Sequence, residues 1–215
     1  MSRRQDKLSI LRNSFLMLNG AIFSVFLPLS FVLFAYRSEL VLILLGNAWY
    51  AASAPFGLLA LAIPFRAGYR LSDIVSRARG YVYKRAIVQW VYATFVGLGG
   101  LIGTGWGLEG VAFGISVAVF LNWILMSALT MHSLQIGFIK FLVSMRPALF
   151  TLSVTYLAVY VINFSFAITF FPIPFAAIAD IIFFSAILLA CLNLQSARKS
   201  QLDWLKIYER VRFGA

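Results

Sequence analysis

The lysine and arginine residues of this chain are confined to a few short segments, and long apolar runs separate those segments. All 18 basic residues except Arg37 lie within residues 3–12, 66–85, 140–146 and 198–212. Positively charged loops are retained on the cytoplasmic side of a membrane. The distribution therefore predicts a chain that crosses a membrane several times and keeps its basic segments in the cytoplasm.

The composition agrees with a membrane protein and argues against a nucleic-acid-binding protein. The hydrophobic fraction is 62% and the charged fraction 12%, against roughly 45–50% and about 25% in soluble domains. The net charge of +11 does not form one basic face, because the basic residues flank apolar spans instead. We expect them to meet the anionic headgroups of membrane lipids.

Six apolar runs reach the roughly 20 helical residues that a hydrocarbon core requires. The loops between them alternate between basic and non-basic, which predicts an all-α polytopic membrane helix bundle with both termini in the cytoplasm. The six spans form one domain, residues 1–195, and residues 196–215 form a basic amphipathic tail on the inner leaflet. The predicted spans are 13–36, 51–69, 84–104, 109–131, 147–166 and 173–194.

Polar side chains are costly inside a membrane, and five residues in the predicted spans stand out for this reason: Asn19, Gln89, Asn122, Asn163 and Asp180. The amides either form hydrogen bonds between helices or line a polar cavity that accepts a hydrophilic group. Asp180 is the only acidic residue in the interior of a predicted span, since Glu109 is the first residue of the fourth. It either reaches the membrane interface or acts as a proton or cation site.

Arg66 lies just after Pro64 at the inner end of the second predicted span. One interpretation is that its side chain extends to the lipid headgroups. The other is that it faces a cavity and binds a phosphate, to which a guanidinium donates two parallel hydrogen bonds.

Small residues recur at helical spacing in the third and fourth predicted spans. Gly99 and Gly103 form one pair, and Gly110, Gly114 and Ala118 form a ladder in steps of four. Such ladders allow helix backbones to approach closely. The pattern predicts tight packing of these two helices, or an interface along which they move.

Catalytic and metal-binding signatures are missing from the sequence. It contains no HExxH, GxSxG or P-loop motif, and it has one cysteine, Cys191, and one histidine, His132. We therefore expect a protein that is not an enzyme and needs no cofactor or metal.

Three segments carry a resemblance to a known family. The run from Glu39 to Pro55, ELVLILLGNAWYAASAP, resembles an "LLG-x-x-W-x-x-A-x-P" stretch of bacterial polysaccharide and lipopolysaccharide export proteins. The turn Gly105–Gly114 and the pair Arg146-Pro147 resemble further motifs of these lipid-linked oligosaccharide flippases, which belong to the multidrug/oligosaccharidyl-lipid/polysaccharide exporter superfamily. The resemblance covers about residues 8–160. Family members have twelve or fourteen spans in two lobes, and this chain resembles the C-terminal lobe alone.

The resemblance implies a function in the bacterial cytoplasmic membrane. The two lobes would rock about a central cavity that takes the glycan and diphosphate of a lipid-linked oligosaccharide. A missing N-terminal lobe or a second copy would complete that cavity. From residue type and depth we expect Arg66 and Arg70 to bind the diphosphate, and Asn19, Gln89 and Asn122 to bind sugar hydroxyls.

Two alternatives remain open at this stage. The chain is a non-transporting remnant or interaction subunit of a polysaccharide assembly complex, or it is an ion-coupled exporter that uses Asp180. The first alternative predicts that cavity mutations are silent, and the second that Asp180→Asn abolishes an ion-dependent flux.

Overall fold

The computed structural model describes the backbone of residues 2–168 and the side chains of residues 8–161. This part of the chain is helical throughout and contains no strand, which confirms the predicted all-α class for it. Short 3-10 turns occupy Asn47–Ala52 and Thr104–Trp106. The α-helices are Ser2–Ala35 (α1), Arg37–Leu45 (α2), Ser53–Leu61 (α3), Ile63–Ala78 (α4), Val82–Gly103 (α5), Gly107–Leu134 (α6), Phe138–Ser144 (α7) and Arg146–Ile168 (α8).

Four stretches of the described chain are long and apolar enough to cross a membrane: Leu8–Ala35, Asn47–Ala78, Val82–Leu134 and Phe138–Val161. The third stretch folds back on itself at the turn Thr104–Trp106, so the four stretches provide five crossings. The first five predicted spans overlap them, but the second crossing continues to Ala78 and not to residue 69, so Arg66 and Arg70 do not lie at its inner end as predicted. The sixth predicted span, 173–194, lies outside the described residues, as do Asp180 and the tail 196–215.

The second crossing is not one continuous helix. Pro64 is the second residue of α4 and has no backbone N–H to donate to the preceding turn. Helix α3 therefore ends at Leu61, and α4 begins at Ile63 after the single residue Ala62. The break allows α4 to take a different rotational setting from α3. Its small and hydroxyl-bearing residues are buried while its arginines are exposed.

Helices α5 and α6 form an antiparallel hairpin whose backbones touch at glycines. A Cβ atom added to Gly99 would lie 2.9 Å from the carbonyl oxygen of Gly114, and one added to Gly103 would lie 2.5 Å from that of Gly110. The tight packing predicted from these small residues is thus observed. We call the end of the bundle that carries the α5–α6 turn the hairpin end, and the opposite end, where α4 meets α5, the basic end.

The core lies where α1, α4, α6 and α7 meet. Phe15 and Phe23 on α1 and Met126 on α6 are almost fully buried. The Trp123 ring lies 5.4 Å from the Phe23 ring and 6.2 Å from the Phe141 ring. This aromatic cluster holds the basic half of the bundle together, and α8 packs on the far side of α1, where Thr151 Oγ1 donates to a backbone carbonyl at 3.1 Å.

Candidate ligand-binding cleft

An apolar groove runs along the hairpin half of the bundle. It lies between α3 and α5, and α6 forms its floor. We define it by Leu58 on α3, by Phe95, Leu98 and Gly99 on α5, and by Phe113 and Gly114 on α6; its volume is about 670 Å³. The lining includes one ionisable residue, Glu109, near the hairpin turn. The groove can therefore accept hydrocarbon but offers few partners to a polar ligand.

Two tyrosines lie beyond the Phe95 end of this groove and do not line it. Residues seven apart lie on the same helix face, so Tyr92 shares the face of α5 that Gly99 presents to the groove. The ring of Tyr92 lies 6.2 Å from the ring of Tyr69 on α4. The tyrosine pair thus connects α4 with α5 about one turn from Phe95, outside the lining of the groove.

Two arginines lie next to the tyrosine pair. Arg66 and Arg70 are one turn apart on α4, and both are exposed. Arg70 directly follows Tyr69 in the chain, and Arg66 precedes Tyr69 by about one turn. Neither arginine forms an ion pair within the described part of the chain. The bundle thus has an apolar groove between α3 and α5 and, separately, two exposed arginines on α4 without acidic partners among the described residues.

The nearest acidic side chain is already engaged by other arginines. Asp73 is buried, and its Oδ2 accepts hydrogen bonds from Arg77 Nη2 at 2.6 Å and from Arg85 Nη2 at 3.3 Å, while Arg85 Nε binds Oδ1. This cluster ties the end of α4 to the start of α5. Because both carboxylate oxygens have partners, Asp73 leaves the charges of Arg66 and Arg70 uncompensated.

The other predicted site residues are not gathered with the arginines on the exposed face. Asn19 and Asn122 are 0% and 1% exposed, so in this conformation they are closed off from a hydrophilic ligand. Asn19 Nδ2 donates to Ser144 Oγ at 3.5 Å, which favours the alternative of a hydrogen bond between helices. Asn19 Oδ1 and both polar atoms of the Asn122 side chain have no hydrogen-bond partner. Gln89 on α5 is half-buried. Sugar binding by these three amides stays a prediction.

A seam of hydroxyl groups between α4 and α6 was missed in the sequence analysis. Ser76 Oγ lies 3.1 Å from Thr130 Oγ1, and Thr130 Oγ1 also donates to the Ser72 carbonyl at 3.0 Å. Ser72 Oγ and Ser127 Oγ are 3.5 Å apart. The signal was present as Ser72 and Ser76 one turn apart, but the second span was predicted to end at residue 69, which left both serines outside it.

Two glycines, in the segments that resemble the exporter family, adopt backbone conformations that favour glycine. Gly46 ends α2 with φ +83°, and Gly107 begins α6 with φ +70°. Both values lie where residues with a Cβ atom are strained.

The chain matches no protein-family model, no curated protein and no solved structure. The resemblance to polysaccharide exporters therefore stays a prediction, and the function has to be argued from the cleft.

Proposed function

We propose that this chain translocates lipid-linked oligosaccharide across the bacterial cytoplasmic membrane by alternating access, or forms half of such a translocator. The proposal is carried by one observation: Arg66 and Arg70 are exposed on one helix beside the Tyr69–Tyr92 pair, without an acidic partner among the described residues. In the proposed orientation the basic end faces the cytoplasm.

The energetic argument concerns the two arginines. A guanidinium at a membrane-spanning helix is costly unless it meets water, a headgroup or a counter-ion. A diphosphate offers several anionic oxygens, and each arginine can donate two parallel hydrogen bonds to it. The two arginines would offset the desolvation cost of bringing the diphosphate between helices. The diphosphate would in turn offset the cost of placing two guanidinium groups in the membrane.

The arginines lie on the side of α4 that does not pack on α6, which leaves this side free to contact a second lobe. The opposite face of α4 is packed on α6 through Ser72, Ser76 and the glycine at position 68. The arginines therefore point away from this bundle. An N-terminal lobe, or a second copy of the chain, would close a cavity over them, as two-lobe alternating access requires.

The test is polysaccharide export in cells that depend on this chain. We expect the double variant Arg66→Gln/Arg70→Gln to lower export about tenfold or more, since it removes the charge-assisted contacts to phosphate. Lys140→Gln is the matched control, because it removes an exposed positive charge from α7 at the same end of the bundle. Protein abundance in the membrane is measured for each variant.

Unchanged export by the double variant at normal abundance would contradict the proposal. That result is the one expected of a non-transporting subunit, because such a protein has no ligand at this face. An equal loss in Lys140→Gln would show a general effect of basic charge on membrane insertion and would also count against a phosphate site.

A further inference from the structure

Helix α2 ends in a run of apolar side chains that the described part of the chain leaves uncovered. Leu42 is 46% exposed, and Ile43, Leu44 and Leu45 are 62%, 73% and 56% exposed. An α-helix completes one turn in 3.6 residues, so four consecutive side chains point to all sides of it. The last turn of α2 therefore requires apolar surroundings on nearly every side.

The lengths of α1 and α6 put α2 near one boundary of a bilayer. Arg12 on α1 donates a hydrogen bond to the carbonyl of Leu134 on α6, so the two residues share a level at the basic end. At 1.5 Å per residue, α1 rises about 36 Å from Arg12 to Tyr36, and α6 rises about 40 Å from Leu134 back to Gly107. A hydrocarbon core is about 30 Å thick. Helix α2, which follows Tyr36, therefore lies at the edge of the core at the hairpin end.

The 3-10 turn that follows α2 carries two exposed aromatic rings. Trp49 and Tyr50 are 59% and 55% exposed. Amphipathic aromatic rings of this kind are enriched where the hydrocarbon core meets the lipid headgroups. Residues 37–52 contain one arginine and one glutamate, so the segment has no net charge. The segment thus has the composition of an interfacial element that inserts by apolar contact and not by charge.

We propose that α2 and the 3-10 turn Asn47–Ala52 lie embedded in the lipid leaflet at the hairpin end, with the two aromatic rings at headgroup level. The partner is the boundary between lipid headgroups and acyl chains. The inference does not rest on the proposed function, because it uses the position of α2 in the bundle and is the same for either orientation of the chain in the membrane.

Lipid fits this segment better than a protein partner does. A docked protein surface covers one face of a helix, whereas hydrocarbon surrounds it, and residues 42–45 are exposed around a whole turn. The apolar surface also continues along the second crossing, where Leu59 and Leu61 are exposed on α3. Because α2 joins α1 to α3, its insertion would fix the depth at which both helices enter the bilayer.

The experiment measures the depth of a spin label on α2 by electron paramagnetic resonance. The full chain, with Cys191→Ser and Leu44→Cys, is labelled and reconstituted in phosphatidylcholine bilayers. Collision of the label with oxygen, which concentrates in hydrocarbon, is compared with collision with a water-soluble nickel complex, and spin-labelled lipids calibrate the depth. Leu45→Cys provides a second label position. Trp90→Cys is the reference within the hydrocarbon core, since Trp90 is 77% exposed near the middle of α5.

We expect the label at Leu44 to lie about 5–10 Å below the headgroups, the depth of other interfacial helices, and the label at Trp90 to lie deeper. Higher salt or added anionic lipid should leave the depth at Leu44 unchanged, because residues 37–52 have no net charge. Ile43→Asp/Leu45→Asp should move the label toward water, since carboxylates are costly in lipid. The apolar control Ile43→Val/Leu45→Ile should keep its depth.

Four results would overturn the proposal. A label at Leu44 that meets the nickel complex more than oxygen would place α2 in water, and a depth equal to that at Trp90 would place it within the core. An immobilised label hidden from both reagents would show that protein, either a second lobe or residues 169–215, covers α2. Spin–spin broadening that disappears on dilution with unlabelled chain would identify a second copy as the cover.

Discussion

Helix α6 is packed against its two main neighbours by different chemistry. On one side, α5 meets it through Gly99, Gly103, Gly110 and Gly114, with backbone against backbone. On the other side, α4 meets it through side-chain hydroxyls: Thr130 Oγ1 donates to the Ser72 carbonyl at 3.0 Å and lies 3.1 Å from Ser76 Oγ. The glycine seam joins helices that are already tied by a tight turn. The hydroxyl seam joins parallel helices from separate crossings.

The two seams differ because the two pairs of helices need different interactions to hold them together. Consecutive antiparallel helices are brought together by their connection, so close van der Waals contact is sufficient. Helices α4 and α6 have no such connection, and hydrogen bonds select their register. Hydrogen bonds between helices can also exchange partners when helices slide, whereas interlocked backbones cannot. The close backbone contact is therefore expected to hold α5 and α6 together as one unit more firmly than the hydrogen bonds hold α4 to α6.

The largest effect that separates the two seams is expected from a bulky residue at Gly103. Gly103→Leu places a side chain where a Cβ atom would already lie 2.5 Å from the Gly110 carbonyl oxygen. We expect a loss of about 3 kcal/mol in the free energy of unfolding, the upper range for overpacking, measured by denaturation in detergent. Gly97→Leu is the control, because nothing lies within 4 Å of a Cβ atom there. Equal stability of the two variants would mean that the hairpin is not closely packed.

A substitution in the hydroxyl seam should lower the stability less than Gly103→Leu does. Thr130→Val keeps the shape of the side chain but removes its hydrogen bonds to Ser76 and to the Ser72 carbonyl. We expect a loss of about 1 kcal/mol, as for other hydrogen bonds between membrane helices. Ser153→Ala is the control, since its hydroxyl is exposed and bonds only within its own helix. A Thr130→Val protein as stable as its parent would show that shape alone holds α4 against α6.

An effect no larger than that of Thr130→Val, and of opposite sign, is expected at Asn122. This amide is buried on α6 without a hydrogen-bond partner for either polar atom. Asn122→Leu replaces it by an apolar side chain of similar size, which should raise stability by about 1 kcal/mol by removing an unsatisfied buried group. Export measured on the same variant separates the two interpretations of Asn122. Raised stability with lost export would favour sugar binding, whereas lowered stability would reveal a partner that the structure does not contain.

Most of the helices could be predicted from hydropathy. The first five predicted spans fall on helices, because about 20 apolar residues in a row leave few alternatives to a membrane-spanning helix. The prediction erred at the ends: α1 begins at Ser2 and not near residue 13, because hydropathy marks the apolar run and not the polar turns that continue the helix. Those turns are held in part by Arg12, whose Nε donates to the Leu134 carbonyl at 3.0 Å.

The candidate site could be predicted only in part. Arg66 and Arg70 were identified from residue type and depth, and the glycine seam from its spacing. The partners of Asp73 could not be predicted, because Arg85 lies twelve residues away on another helix and reaches it only once α4 and α5 are adjacent. The hydroxyl seam depends in the same way on which helices meet.

The sequence by itself determined the all-helical class, the approximate crossings and the close contact of α5 with α6, since each depends on hydropathy or on residues near in the chain. The tertiary structure decided which charges are neutralised and which are left free. Asp73 forms ion pairs with Arg77 and Arg85, whereas Arg66 and Arg70, on the same helix as Tyr69, form no ion pair among the described residues. The physical reason is that charge pairing and cleft formation depend on distances between helices, and no local pattern in the chain specifies those distances.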